Sequence, residues 1–131
     1  MIITRKSDYA IRIFRALRDG KVHSVSEICL VEDVPRAFAY KILRELEAND
    51  FVRSERGNRG GYLLNISLEE ITLYDLISVT ESTVSVVHCM DEACGRNTPD
   101  EPCAIHREIA RVQGILEAEL QRSTLGKLLA D

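Results

Sequence analysis

The sequence predicts a mainly α fold carrying one small β-hairpin, and three observations predict it. Apolar residues recur at helical spacing in three successive stretches before residue 50. A short, basic, Gly-rich link then separates two strand-like runs. After an irregular segment, one long amphipathic stretch runs toward the C-terminus.

The first helix is expected over 7–18, where Tyr9, Ala10, Ile13, Phe14 and Leu17 share a face and Gly20 supplies the stop. A second, short helix starts at Ser24, because Ser24 with Glu27 three residues on forms a capping box. Ile28, Cys29 and Val31 are its expected buried residues. Asp33-Val34-Pro35 restarts the chain as a third helix, proline being tolerated in a first turn where its missing N–H has no partner to lose. Ala39, Ile42, Leu43 and Leu46 follow the i, i+3, i+4, i+7 rule and face the core, which leaves Arg36, Ala37, Tyr40, Lys41 and Arg44 outward. Asn49-Asp50 ends the helix, with Asn49 expected in the left-handed conformation.

Two strand-like runs follow, 51–55 and 61–66, joined by Arg56-Gly57-Asn58-Arg59-Gly60, a hairpin tip that projects. Three helices and a basic hairpin make a winged helix-turn-helix over residues 1–66. Residues 67–131 are expected to hold a helix over 68–81 restarted at Thr72, an irregular segment over 82–103 and a long helix over 104–121, with a terminal turn over 124–129. In the long helix Ile105, Ile109, Val112, Leu116 and Leu120 form a stripe that needs a partner surface, so a dimerisation helix is expected.

The 131 residues carry a net charge of −4, which on its face disfavours a nucleic-acid partner. Charge is unevenly placed, however: residues 1–66 hold 12 Lys/Arg against 9 Asp/Glu, and residues 67–131 hold 5 against 12. Local phosphate neutralisation governs DNA affinity, so the basic half matters more than the total. In a helix-turn-helix the N-terminal part of the third helix enters the major groove, where Arg36, Ala37, Tyr40, Lys41 and Arg44 would meet phosphates and base edges. The tip residues Arg56, Asn58, Arg59 and Gly60 would meet the adjacent minor groove, whose negative potential favours arginine. No apolar run is long enough to span a membrane, and charges at Arg5, Lys6, Asp8 and Arg12 interrupt any leader core, so cytoplasmic residence is expected. An enzyme, for example a small redox protein, is disfavoured: no paired acid and base and no Gly-rich nucleotide loop are found.

Cys89, Cys94 and Cys103 lie with His88 and His106 in the pattern H-C-x4-C-x8-C-x2-H. Thiolates suit both iron–sulfur clusters and zinc, and a disulfide between Cys89 and Cys94 is a third possibility. Cys29, on the second helix, is expected to be a buried small hydrophobe.

The stretch from Ser54 through Arg56-Gly57-Asn58-Arg59-Gly60-Gly61-Tyr62 to Leu64 resembles the S-x-R-G-x-x-G-G-Y-x-L wing signature of the IscR/NsrR family, the Rrf-type regulators. Ser7-Asp8-Tyr9-Ala10-Ile11-Arg12 and Ile71-Thr72-Leu73-Tyr74-Asp75-Leu76-Ile77 resemble that family's first and post-wing helices. The resemblance implies a homodimeric transcription factor, usually a repressor, reading a palindromic operator in double-stranded DNA. It also implies a 2Fe–2S or 4Fe–4S cluster held by Cys89, Cys94 and Cys103 and sensing nitric oxide, redox state or iron and cluster status. Two residues match the family's fourth ligands: Asp8, the one favoured, as in NsrR-like members where the carboxylate comes from the partner subunit, and His106, as in IscR-like members. The gaps between cysteines are four and eight residues here, against five and five commonly in the family. The alternative is a cluster-free member responding to thiol oxidation, a metabolite or a partner protein.

Overall fold

The computed structural model describes residues 3–130. Helix α1 runs Arg5–Leu17, α2 Val25–Glu32, α3 Arg36–Ala48, and the hairpin strands are β1 Val52–Glu55 and β2 Gly61–Leu64. Helix α4 spans Leu73–Glu81, α5 Ala104–Leu120 and α6 Leu125–Leu128. The fold is the expected winged helix-turn-helix with a long following helix. Among the described residues, no helix is long and apolar enough to cross a membrane.

Caps written in the sequence set most boundaries. Ser24 and Glu27 form the reciprocal capping box of α2, and Thr72 with Asp75 forms a second at α4. That second box divides the expected 68–81 helix into a 3₁₀ turn, Leu68–Glu70, and α4 proper. At the C-terminal end of α3 the left-handed residue is Asp50, with φ 61°, and Asn49 keeps a negative φ. Asn49 instead donates its side-chain amide to the Glu45 carbonyl, which leaves the turn to Asp50.

The main core joins α1, α2 and α3 to later elements. Ile13, Phe14 and Leu17 pack with Ile28, Ala39, Ile42, Leu43 and Leu46, and also with Ile71, Leu76 and Leu125. The C-terminal α6 is therefore part of this core, drawn in by the Leu125 N–H donating to the Ile71 carbonyl at 2.7 Å. Helix α2 departs from expectation. Val25, Ile28 and Glu32 face inward, Cys29 is half-buried against the core, and Val31 is 72% exposed. Val25 and Ile28 pack into the core on that face, and Glu32 beside them takes a two-pronged bond from Arg15.

A smaller cluster of Ile77, Val84 and Leu120 ties α4, the segment after it and the end of α5 together. Of the expected α5 stripe, Leu120 is buried, Ile109 and Leu116 are half-buried, and Ile105 and Val112 are exposed in the single chain.

Candidate nucleic-acid interface and cysteine loop

On α3 the residues Arg36, Ala37, Tyr40, Lys41 and Arg44 are all exposed, opposite the buried Ala39, Ile42, Leu43 and Leu46. Arg36 donates to the hydroxyl of Ser26 on α2, which steadies the start of α3 against the preceding helix. Phe38, absent from the sequence-derived set, is also exposed and stacks edge-on against Tyr9 with ring centroids 5.2 Å apart. Two acidic side chains on α3 are committed elsewhere. Glu45 pairs with Lys6 of α1 at 2.7 Å, and Glu47 accepts from the N–H and hydroxyl of Ser54 on β1. The second contact ties the hairpin to the end of α3, so the helix face and the hairpin are joined directly.

The hairpin pairs Val52 with Leu64 and Glu55 with Gly61, leaving residues 56–60 as the tip. Arg56, Asn58 and Arg59 are exposed, and Gly60 is half-buried and donates to the Gly57 carbonyl at 2.9 Å. Gly57 takes φ 121°, a conformation open to glycine and strained for other residues. Gly61 is required by proximity: a Cβ there would lie 2.1 Å from the His23 carbonyl oxygen. That closeness allows His23 and Tyr62 to exchange two backbone hydrogen bonds of 2.9 Å, making the segment before α2 a third partner of the wing. His23 is itself held by Asp19, 2.9 Å from Nε2. Burial and the neighbouring Glu47 push the Tyr62 phenol above its usual range. Among the described residues, Lys41, Arg44, Arg56 and Arg59 have no carboxylate within ion-pair distance. The unit thus offers uncommitted cations on both its helix and its tip.

The cysteines lie in the segment between α4 and α5. Cys89 sits in a 3₁₀ turn, His88–Met90, while Cys94 is in an irregular stretch and Cys103 occupies the position just before α5. All three are half-buried free thiols. Gln113 of α5 anchors the front of the segment, accepting from the Val86 N–H at 2.7 Å and donating to the Val84 carbonyl at 3.1 Å. Asp91 accepts from the hydroxyls of Thr83 and Ser85. His106 lies in the first turn of α5, and its Nδ1 is buried with no hydrogen-bond partner among the described residues. Asp8, by contrast, sits on the first turn of α1 with its carboxylate half-exposed and paired to Arg12 at 3.1 Å. Among the described residues of the single chain, no three His, Cys, Asp or Glu side chains are gathered closely enough to hold a metal ion. Sequence reasoning did not find Gln113 or Glu81. Glu81 accepts from the N–H and hydroxyl of Thr4 and from the Ser7 hydroxyl, tying the start of α1 to the end of α4. Burial opposes its charge, but those donors outweigh burial and hold the carboxyl below its usual range.

The Rrf2 profile, described as an iron-dependent transcriptional regulator, matches residues 3–131. The chain belongs to the Rrf2 family. It is therefore a DNA-binding transcriptional regulator and not an enzyme. Protein aau3 of Rhizobium meliloti (strain 1021) is 31% identical over 108 residues, covering 74% of this chain and 70% of that protein. Among solved structures, the Rrf2 chain is similar to CymR (YrzC), the global cysteine regulator of B. subtilis. That match has TM-score 0.79 and 24% identity, covering 98% of this chain and 95% of the other. T. potens IscR is similar at TM-score 0.72 and 20% identity, covering 97% and 85% respectively. Both likenesses concern the fold.

Proposed function

We propose that this Rrf2 protein is a homodimeric repressor whose affinity for a palindromic operator is set by an iron–sulfur cluster, 2Fe–2S or 4Fe–4S. The observation that carries the DNA part is the joined α3 and hairpin, on which Lys41, Arg44, Arg56 and Arg59 have no ion-pair partner among the described residues. Arg36, Ala37, Tyr40, Lys41 and Arg44 read the major groove, and Arg56, Asn58, Arg59 and Gly60 meet the minor groove. The two-fold symmetry of a dimer demands a palindrome. The exposed Ile105 and Val112 of α5 supply the apolar surface for pairing.

The donor set suits a cluster. Cys89, Cys94 and Cys103 are free, half-buried thiols on one segment, and soft sulfur ligands favour iron–sulfur centres. His106 is the fourth ligand in this reading, because its buried Nδ1 lacks a partner while Asp8 is already paired with Arg12. When bound, the cluster supplies a centre whose charge and ligation change on oxidation or nitrosylation. The chain's own contribution in this reading is to carry the three cysteines on one segment, which Gln113 holds at its front.

The test is the visible spectrum and the iron and sulfide content of anaerobically isolated protein, with binding to a duplex selected from random sequence. Cluster absorbance, lost in Cys103→Ser and weakened in His106→Ala, is expected, with operator affinity changing about 5–150-fold on cluster removal. Colourless, iron-free protein, or affinity indifferent to the cluster, refutes the reading. A cluster weakened by Asp8→Ala and not by His106→Ala transfers the fourth ligand to the partner's carboxylate.

A further inference from the structure

We propose that Asn97 is the positioning residue of the cysteine segment, holding Cys94 and Cys103 in fixed relation through their backbones. The inference rests on the reading of these cysteines as cluster ligands. Asn97 is not a ligand type for such a centre, and its importance comes from where its two polar ends go. Its backbone N–H donates to the Cys94 carbonyl at 2.9 Å. Its side-chain Oδ1 accepts from the Cys103 N–H at 2.9 Å. One residue therefore touches the main chain of both cysteines.

The gap it bridges is the long one. Eight residues separate Cys94 from Cys103, and the nine steps between them could reach ~30 Å if extended. Thr98 and Glu101 close the remainder on itself: the Thr98 N–H donates to the Glu101 carbonyl at 3.2 Å, and the Glu101 N–H to the Thr98 hydroxyl at 3.0 Å. The surplus chain is thereby folded out of the way as a side turn. Cys103 is also the N-cap of α5, and its side chain makes no capping bond. The Asn97 bond to its N–H is thus what joins the start of α5 to the Cys94 stretch.

The experiment compares the wild-type chain with Asn97→Ala and Asn97→Asp, the latter keeping the Oδ1 acceptor. Two quantities are read: the rate at which a ferrous chelator bleaches the anaerobically reconstituted protein, and amide hydrogen exchange at Cys103 in the iron-free chain. Asn97 lies outside the apolar core, so helical circular dichroism should be unchanged in both variants. Residues that orient metal ligands typically affect metal affinity about 10–100-fold, so Asn97→Ala should bleach about tenfold faster. The Cys103 amide should lose protection in the same variant, and Asn97→Asp should restore both. Asn97→Ala matching wild type in the two readouts overturns the proposal, as does Asn97→Asp failing to restore the amide. If wild-type protein takes up no iron, the cluster reading fails, and Cys103 exchange alone decides for or against Asn97.

Discussion

Substituting Gly61 by alanine tests whether the wing is held by its approach to the segment before α2. The added Cβ would lie 2.1 Å from the His23 carbonyl oxygen and 2.8 Å from the Ser24 nitrogen, both backbone atoms that cannot rotate away. The strand must withdraw, and the two 2.9 Å hydrogen bonds between His23 and Tyr62 are lost. At ~1 kcal/mol each, with some packing lost besides, the cost is about 2–3 kcal/mol. The alanine also stiffens the unfolded chain, returning about 0.4–1 kcal/mol, so the net loss is about 2 kcal/mol. With a urea slope of roughly 1–2 kcal/mol/M, the unfolding midpoint should fall by about 1–2 M. Gly95→Ala is the control, since nothing lies within 4 Å of a Cβ there and its φ is not positive. It should stay within ~0.5 kcal/mol of wild type. Operator affinity should fall about tenfold in Gly61→Ala, the equivalent of one displaced contact. An unchanged urea midpoint would refute the reasoning, because it would mean that the His23 approach contributes nothing.

Arg59→Ala should weaken operator binding by about 1–3 kcal/mol at fixed salt, measured by fluorescence anisotropy; equal affinity removes Arg59 from the interface. Ile105→Glu with Val112→Glu should give monomers in analytical ultracentrifugation while retaining helical content; a persisting dimer would place the interface elsewhere. Glu81 predicts a pH effect. Its carboxyl is held below the ordinary value of 4.5, so the stability it contributes is complete above that value and is lost as pH falls toward the folded-state value. Urea midpoints measured downward from pH 6 should therefore fall more steeply below about pH 4.5 in wild type than in Glu81→Gln, and parallel curves would contradict the assignment.

What was legible in the sequence follows the range of each interaction. Ser24 with Glu27 and Thr72 with Asp75 act over three residues, and both capping boxes could be read or half-read from spacing alone. The core face of α3 followed from periodicity because apolar and charged positions separate cleanly from Lys41 to Glu47, while the exposed Phe38 in the first half of the helix escaped the pattern. Helix α2 resisted the same reading. Its run Ile28-Cys29-Leu30-Val31 is apolar on every side, so periodicity could not choose a face. The face that turns inward carries Val25, Ile28 and a Glu32 paired with Arg15, seventeen positions away, while Leu30 and Val31 stay outside.

The cysteine segment shows the same limit in its functional form. The spacing of Cys89, Cys94, Cys103 and His106 suggested a candidate donor set, because ligand chemistry is written in residue type, but the described residues of the single chain do not gather them. Their arrangement is written in polar contacts that cross the fold: Gln113 reaches back to Val84 and Val86, and Glu81 reaches Thr4 and Ser7 more than seventy residues earlier. These contacts have no periodic signature, since each depends on two elements already being packed. They also explain why a segment with so few apolar residues can hold a defined course. Its front is fixed to α5 by Gln113, the helix from which it departs is fixed to α1 by Glu81, and its end is fixed at Cys103. A change in the segment would therefore be felt at the start of α1 and along α5. Both elements pack against the helix that carries Arg36 to Arg44, or against α4 beside it. The cysteine segment and the exposed face of α3 are thus connected through packed helices.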